Sequence, residues 1–215
     1  MKTLKSYDKY FESNNITLLD LSNKKLTELP ELPKTLKSLY CSNNNLTELP
    51  NLKNFNLEYL NCSYNKLTTL PELPNSITIL RVANNKLTNI TNISKSTFIL
   101  NVNNNNLTKL PKLQDKLEYL HCSDNSLFEL SELPDSLLEI YCTNNYLREI
   151  PELPKNLEVL YCNKNIGLEK LPELPDSLRH LECYYTGLPY NNLKEYKEWD
   201  KKMHPWKYSA EDFNI

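Results

Sequence analysis

The sequence predicts a right-handed solenoid of the α/β type, mostly β. It places a parallel sheet on the concave face, an extended or polyproline-like convex side, and helical caps at both ends. Three observations predict it. The first is a period: the stretch Leu57 to Leu70, LEYLNCSYNKLTTL, recurs with starts at Ile16, Leu36, Leu57, Ile77, Thr97, Leu117, Leu137, Leu157 and Leu178, spaced by 20 or 21 residues. The second is alternation. Leu60 and Cys62 are two apart and share one side of an extended strand, whereas Tyr59, Asn61 and Ser63 share the other. The third is a proline-marked return, L-x-x-L-P-x-L-P, seen at Leu67 to Pro74, Leu147 to Pro154 and Leu168 to Pro175. Proline fixes its own φ and pushes the preceding residue toward extended geometry, so these returns are expected to be extended, not helical.

Taken in order, residues 1–15 carry Leu4, Tyr7 and Phe11 at helical spacing, and we expect a short helix capping the first coil. Residues 16–188 hold nine repeats, each unable to bury its apolar side alone and so stacked on the next. Two repeats are irregular: TNISKS replaces the proline return before Thr97, and Ile166-Gly167 adds one residue to the eighth. The simplest use for Gly167 and Gly187 is a left-handed backbone conformation. Residues 189–215 leave the pattern. Asn191 or Asn192 can N-cap a helix reaching about Met203, with Leu193, Tyr196, Trp199 and Met203 on its apolar side and His204-Pro205 as its stop. The aromatic tail (Trp206, Tyr208, Phe213) is expected to shield the last coil.

An asparagine column, Asn44, Asn65, Asn85, Asn105, Asn125, Asn145 and Asn165, falls where the chain leaves each strand. A buried amide there can satisfy backbone groups of its own coil and the next. The column fails at the two ends, with Lys24 and Thr186. All six cysteines fall in a second column: Cys41, Cys62, Cys122, Cys142, Cys162 and Cys183. Leu21, Val82 and Val102 share it, so the position wants an apolar group. A straight column cannot place four zinc ligands tetrahedrally. Adjacent registered cysteines also sit wider at Cβ than a disulfide prefers. Reduced core thiols, no metal or other cofactor, and a reducing cytoplasmic setting are expected. The triplets at Asn45, Asn89, Asn92 and Asn106 match a glycosylation pattern but are by-products of the repeat.

The net charge is −2 and the pI near 6.0, without the concentrated basic face of a nucleic-acid binder. There is no 18-residue apolar run, so no membrane span is expected. Residues 1–15 lack a signal-peptide apolar core. His121 and Ser123 share a strand face, but two positions along a strand are roughly 6.5–7 Å apart, too far for a nucleophile–base hydrogen bond. Two separated glycines cannot form a phosphate loop. A non-enzymatic protein is expected.

What remains is the open face of the sheet. Its central column runs Asp20, Tyr40, Asn61, Arg81, Asn101, His121, Tyr141, Tyr161 and Glu182, and a flanking column carries Ile79, Ile99, Tyr119 and Val159. Tyr119, His121, Tyr141, Tyr161 and Tyr184 fall in the last four repeats. Tyr and Arg lead among interface anchors, although Tyr also suits strands on its own account. The candidate partner-binding residues are Arg81, Tyr119, His121, Tyr141, Tyr161 and Tyr184. The partner expected is a protein or peptide bound to a monomer. The alternative is a structural component that self-associates. A third possibility is a small ligand or glycan nested among the tyrosines. On the convex side Glu31, Glu72, Glu132, Glu152 and Glu173 form an acidic column, read as a solvated face.

From Ile16 to Pro189 the pattern L-x-x-L-x-C/V-x-x-N-x-L-x-x-L-P-x-L-P resembles the short, proline-marked class of leucine-rich repeat proteins. Within that class it is similar to effectors that bacterial pathogens deliver into host cells. It is also similar to repeat proteins of giant DNA viruses that infect amoebae, which share its Asn-, Lys- and Tyr-rich, Ala-poor composition. The resemblance implies a protein-binding role, often in a host cell. Some effectors of the class add a ubiquitin ligase domain with a catalytic cysteine. Residues 189–215 contain no cysteine, so that activity is not carried over.

Overall fold

The computed structural model describes residues 15–207. Nine strands form one sheet: β1 (Leu18–Asp20), β2 (Ser38–Tyr40), β3 (Tyr59–Asn61), β4 (Ile79–Arg81), β5 (Ile99–Asn101), β6 (Tyr119–His121), β7 (Glu139–Tyr141), β8 (Val159–Tyr161) and β9 (His180–Glu182). They pair in parallel and in chain order. Equivalent residues face one another across every pair, as in Leu60↔Leu80↔Leu100↔Leu120. The repeat thus becomes a set of columns. The middle residue of each strand from β2 to β9 is buried, and the cysteine column lies beside it, with all six thiols buried and free. Burial pushes the Cys41, Cys122 and Cys183 thiols up to about 12 and holds those of Cys62, Cys142 and Cys162 well above the ordinary thiol range.

The asparagine column staples the coils together. In Asn65 the amide nitrogen donates to the carbonyls of Cys41 and Cys62 at 3.0 and 3.1 Å, and Oδ1 accepts from Leu46 N at 3.0 Å. The same set recurs at Asn105, Asn125, Asn145 and Asn165. The neighbour each one reaches is the preceding coil, not the following one. In the last coil Thr186 takes over part of the role, its hydroxyl donating to Cys183 O at 2.6 Å.

The residue before each column position, including the end positions Lys24 and Thr186, adopts a left-handed backbone: Asn23, Asn43, Tyr64, Asn84, Asn104, Asp124, Asn144, Lys164 and Tyr185 have φ between 52° and 60°. Asn and Asp tolerate this conformation better than other residues with a side chain. Several of these amides bond along the solenoid, as Asn43 does to Asn23 and Asn104 to Asn84. Neither glycine has positive φ, contrary to the sequence reading. Gly187 serves close approach instead. A Cβ on Gly187 would lie 3.1 Å from Glu169 Cγ and 3.2 Å from Leu168 O.

The returns carry no regular strand or helix, as the prolines dictate. Five of them close in a tight turn in which a proline carbonyl (Pro33, Pro74, Pro134, Pro154 or Pro175) accepts from the N–H three residues on, for example Pro134 O from Leu137 N at 3.1 Å. In the others the Leu52, Ser94 and Gln114 carbonyls take that place. A hydroxyl ladder supports them: Ser76, Ser136 and Ser177 donate to Leu57, Leu117 and Leu157 carbonyls at 2.6–2.7 Å. In the irregular return, buried Thr97 donates to Ile77 O at 3.0 Å, so a polar residue fits a leucine position.

Helix α1 (Leu193–Met203) begins at Asn192, whose side chain accepts from Glu195 N at 3.0 Å. Glu195 reaches back to Asn191 N at 2.8 Å. Just before the helix, Asn191 O accepts from Cys183 N at 2.8 Å and Asn192 bridges Glu182, which gives the β9 edge a partner. Buried Tyr190 packs its ring on Tyr196 and Trp199, at 5.1 and 5.3 Å. Met203 is 51% exposed, unlike the expectation. Apolar contact ends at Trp199, and the next inward position is Asp200, bonded to His204 Nδ1 at 2.7 Å. The helix expected over residues 1–15, and Tyr208 and Phe213, lie outside the described residues apart from Asn15.

Candidate functional site

The open face takes its residues from the outward positions of nine short strands. Strand register carries His121 onto Tyr141 and Tyr141 onto Tyr161. The rings follow: His121 and Tyr141 stack with centroids 4.6 Å apart and planes 6° from parallel, and Tyr141 meets Tyr161 edge-on at 5.0 Å. All three are half-buried, with Tyr141 flanked by the other two rings. Tyr141 Oη donates to Glu139 Oε2 at 3.0 Å. Burial and that bond lift its phenol to about 12, so it remains a donor throughout the neutral range. Burial also lowers the His121 pKa, opposed by Glu139 and helped by Arg81, which leaves a neutral imidazole in the stack near pH 7.

The other candidates divide. Tyr119 stands on β6 in the flanking column, two residues before His121, with half-buried Ile99 and Glu139 as its register neighbours. Arg81 is exposed on β4, two strands from His121, and acts on it through its charge. Tyr184 is separate. The register position after Tyr161 is Glu182, which ends the aromatic run, and Tyr184 instead meets Tyr185 at 5.5 Å. Sequence reasoning missed a second stack, Tyr40 on Tyr59 at 4.6 Å. Both residues stood in the open-face columns, but they are diagonal neighbours, which a column-by-column reading does not pair.

Ser123 is buried, and its hydroxyl accepts from Thr143 N at 3.1 Å, so it is held as part of the backbone scaffold. Among the described residues no group of three or more His, Cys, Asp and Glu side chains is placed to hold a metal ion. No helix among them is long and apolar enough to cross a membrane.

A parallel in-register sheet of short strands, a buried asparagine column and proline-marked returns define a leucine-rich repeat solenoid whose sheet leaves one face open. Comparison agrees. The family model for leucine rich repeats (2 copies) matches residues 34–75. Among solved structures, the leucine-rich effector YopM from Yersinia pestis is 30% identical with a TM-score of 0.58, and the match covers 86% of this chain and 72% of that one. YopM from Yersinia enterocolitica is 30% identical with a TM-score of 0.54, covering 77% of this chain and 45% of that one. The chain therefore spans less than half the length of that relative. A Shigella effector leucine-rich repeat domain shares the fold at 23% identity, with a TM-score of 0.58 and coverage of 94% and 91%. No curated protein sequence matches the chain. The chain belongs to the leucine-rich repeat family.

Proposed function

We propose that this chain is a non-catalytic interaction module that seats a protein or peptide partner on its concave face, with His121, Tyr141 and Tyr161 at the centre. Tyr119 and Arg81 are the flanking anchors, and Tyr184 is a peripheral one. The observation that carries the reading is the contiguous run of three half-buried rings laid across three strands. Interface anchors are rigid, amphipathic and clustered, and stacked rings on a sheet lose little side-chain entropy when covered. The partner is met in a reducing compartment, the cytoplasm of a host cell. Six buried thiols and the similarity to bacterial effectors support that setting.

The test is capture from a host-cell lysate by immobilised protein. Wild type retains a partner. Tyr141→Ala with Tyr161→Ala weakens its affinity by more than ~2 kcal/mol, while the melting temperature stays near that of wild type. Equal capture by the double variant rejects this site.

A further inference from the structure

The edge of the solenoid where the chain turns off the strands carries apolar surface that the coil does not need. Phe128 and Tyr146 are each 59% exposed, and their rings stack at 5.5 Å. Ile166, the extra residue of the eighth coil, is 83% exposed, more than any other large apolar residue described. These three side chains come from successive coils and line one groove of about 390 Å³, together with Arg148, Lys164 and Gly167. At Gly167 the chain runs in contact with Arg148: a Cβ there would lie 3.4 Å from Arg148 Cγ.

The charge of the groove has one sign. Arg148 and Lys164 are exposed, no carboxylate lines the groove, and neither cation is ion-paired among the described residues. Lys164 also sits at φ 57°, where other coils use Asn, Asp or Tyr. A solenoid gains nothing by exposing an inserted isoleucine beside stacked rings, and such patches mark contact sites. Two cations fall short of the four to eight that bind an anionic membrane surface. From the sign of the charge and the apolar floor we infer that this groove docks an acidic protein segment. Its carboxylates would meet Arg148 and Lys164, and an adjacent apolar side chain would lie against Phe128, Tyr146 and Ile166. The site is independent of the concave-face rings.

The test is fluorescence polarisation of labelled hexapeptides that alternate Asp with Leu, Ile, Phe or Tyr, against counterparts with Lys in place of Asp. Acidic peptides are expected to bind and their basic counterparts not. Arg148→Glu with Lys164→Glu, and separately Ile166→Ser, should each weaken binding by about tenfold or more, as loss of interface anchors does. Tyr141→Ala with Tyr161→Ala should leave this binding unchanged. All the variants change exposed or half-buried positions, and an unaltered melting curve confirms their fold. Failure of every acidic peptide to outbind its basic counterpart overturns the inference, as does binding that ignores the groove variants. Self-association of the chain that the double glutamate variant abolishes would assign the groove to a second copy, and also overturns it.

Discussion

Asn125 shows how a polar side chain holds an apolar coil. Its amide donates to Val102 O, Cys122 O and Ser123 O at 3.0–3.2 Å, and its carbonyl accepts from Leu107 N at 3.0 Å. The site is buried. Asn125→Ala strands buried backbone groups, each costing about 1–3 kcal/mol when unpaired, so a loss of ~3 kcal/mol or more is expected in urea unfolding. That matches the cost of cutting a buried leucine to alanine, ~2–5 kcal/mol. The position before the column gives the opposite sign. Tyr64 holds φ 56° with its side chain 60% exposed. Left-handed geometry costs a bulky residue about 1 kcal/mol or more. Tyr64→Asn, which copies Asn84 one coil on, is expected to raise the urea midpoint by the equivalent of ~0.5–1 kcal/mol. The asparagine column was legible in the sequence because its spacing never varies through the middle coils. The left-handed column was not, because Tyr64, Lys164 and Tyr185 break what would otherwise be Asn or Asp at every turn. The scarcity of glycine drew attention to Gly167 and Gly187 instead.

At the level of elements, the thiol column makes a prediction about pH. Burial raises every one of these thiols above its unfolded value, to about 12 at Cys41, Cys122 and Cys183. The folded chain therefore keeps protons that the unfolded chain has lost. The stabilising effect is complete below pH ~9 and declines as pH rises from there toward ~12, by up to ~1.4 kcal/mol per pH unit for each thiol. The urea midpoint should accordingly fall between pH 9 and 11. At pH 8 a thiol reagent should label essentially none of the six cysteines until the chain is denatured. A cysteine that reacts in the native protein would contradict the burial. Helix α1 offers a second check. Asn192→Ala removes the cap on Glu195 N and should cost ~1 kcal/mol. The sequence placed this helix within a residue because its cap, apolar spacing and proline stop agree. It missed Asp200 as an inward residue, since the pairing with His204 that helps make a buried carboxylate tolerable there leaves no trace in apolar spacing.

For the whole molecule, stability is shared between neighbours. Each coil meets only the coils beside it, so unfolding begins at the ends and moves inward. Amide exchange should be slowest in β4 to β6 and fastest in β1, where Leu19 is only half-buried. Uniform exchange across all nine strands would instead mean one indivisible unit. The face columns could be written from the sequence because a fixed period sets them in register. Ring orientation could not. The near-parallel seating of His121 on Tyr141 depends on rotamers and on the Glu139 bond, and neither leaves a trace in spacing. The groove beside Ile166 was out of reach for a related reason: a one-residue insertion reads as a bulge, and only the fold reveals that it completes a surface with Phe128 and Tyr146.

Because Leu80 faces Leu100 as Leu60 faces Leu80, one coil offers the next the same seat that it takes itself. Excising or duplicating a whole coil would leave those seats filled, while shifting Arg81 and Tyr40 by one step relative to the aromatic run. Such a chain can be re-lettered in blocks: its grip on another molecule can be lengthened, shortened or re-spaced without the interior having to be solved again.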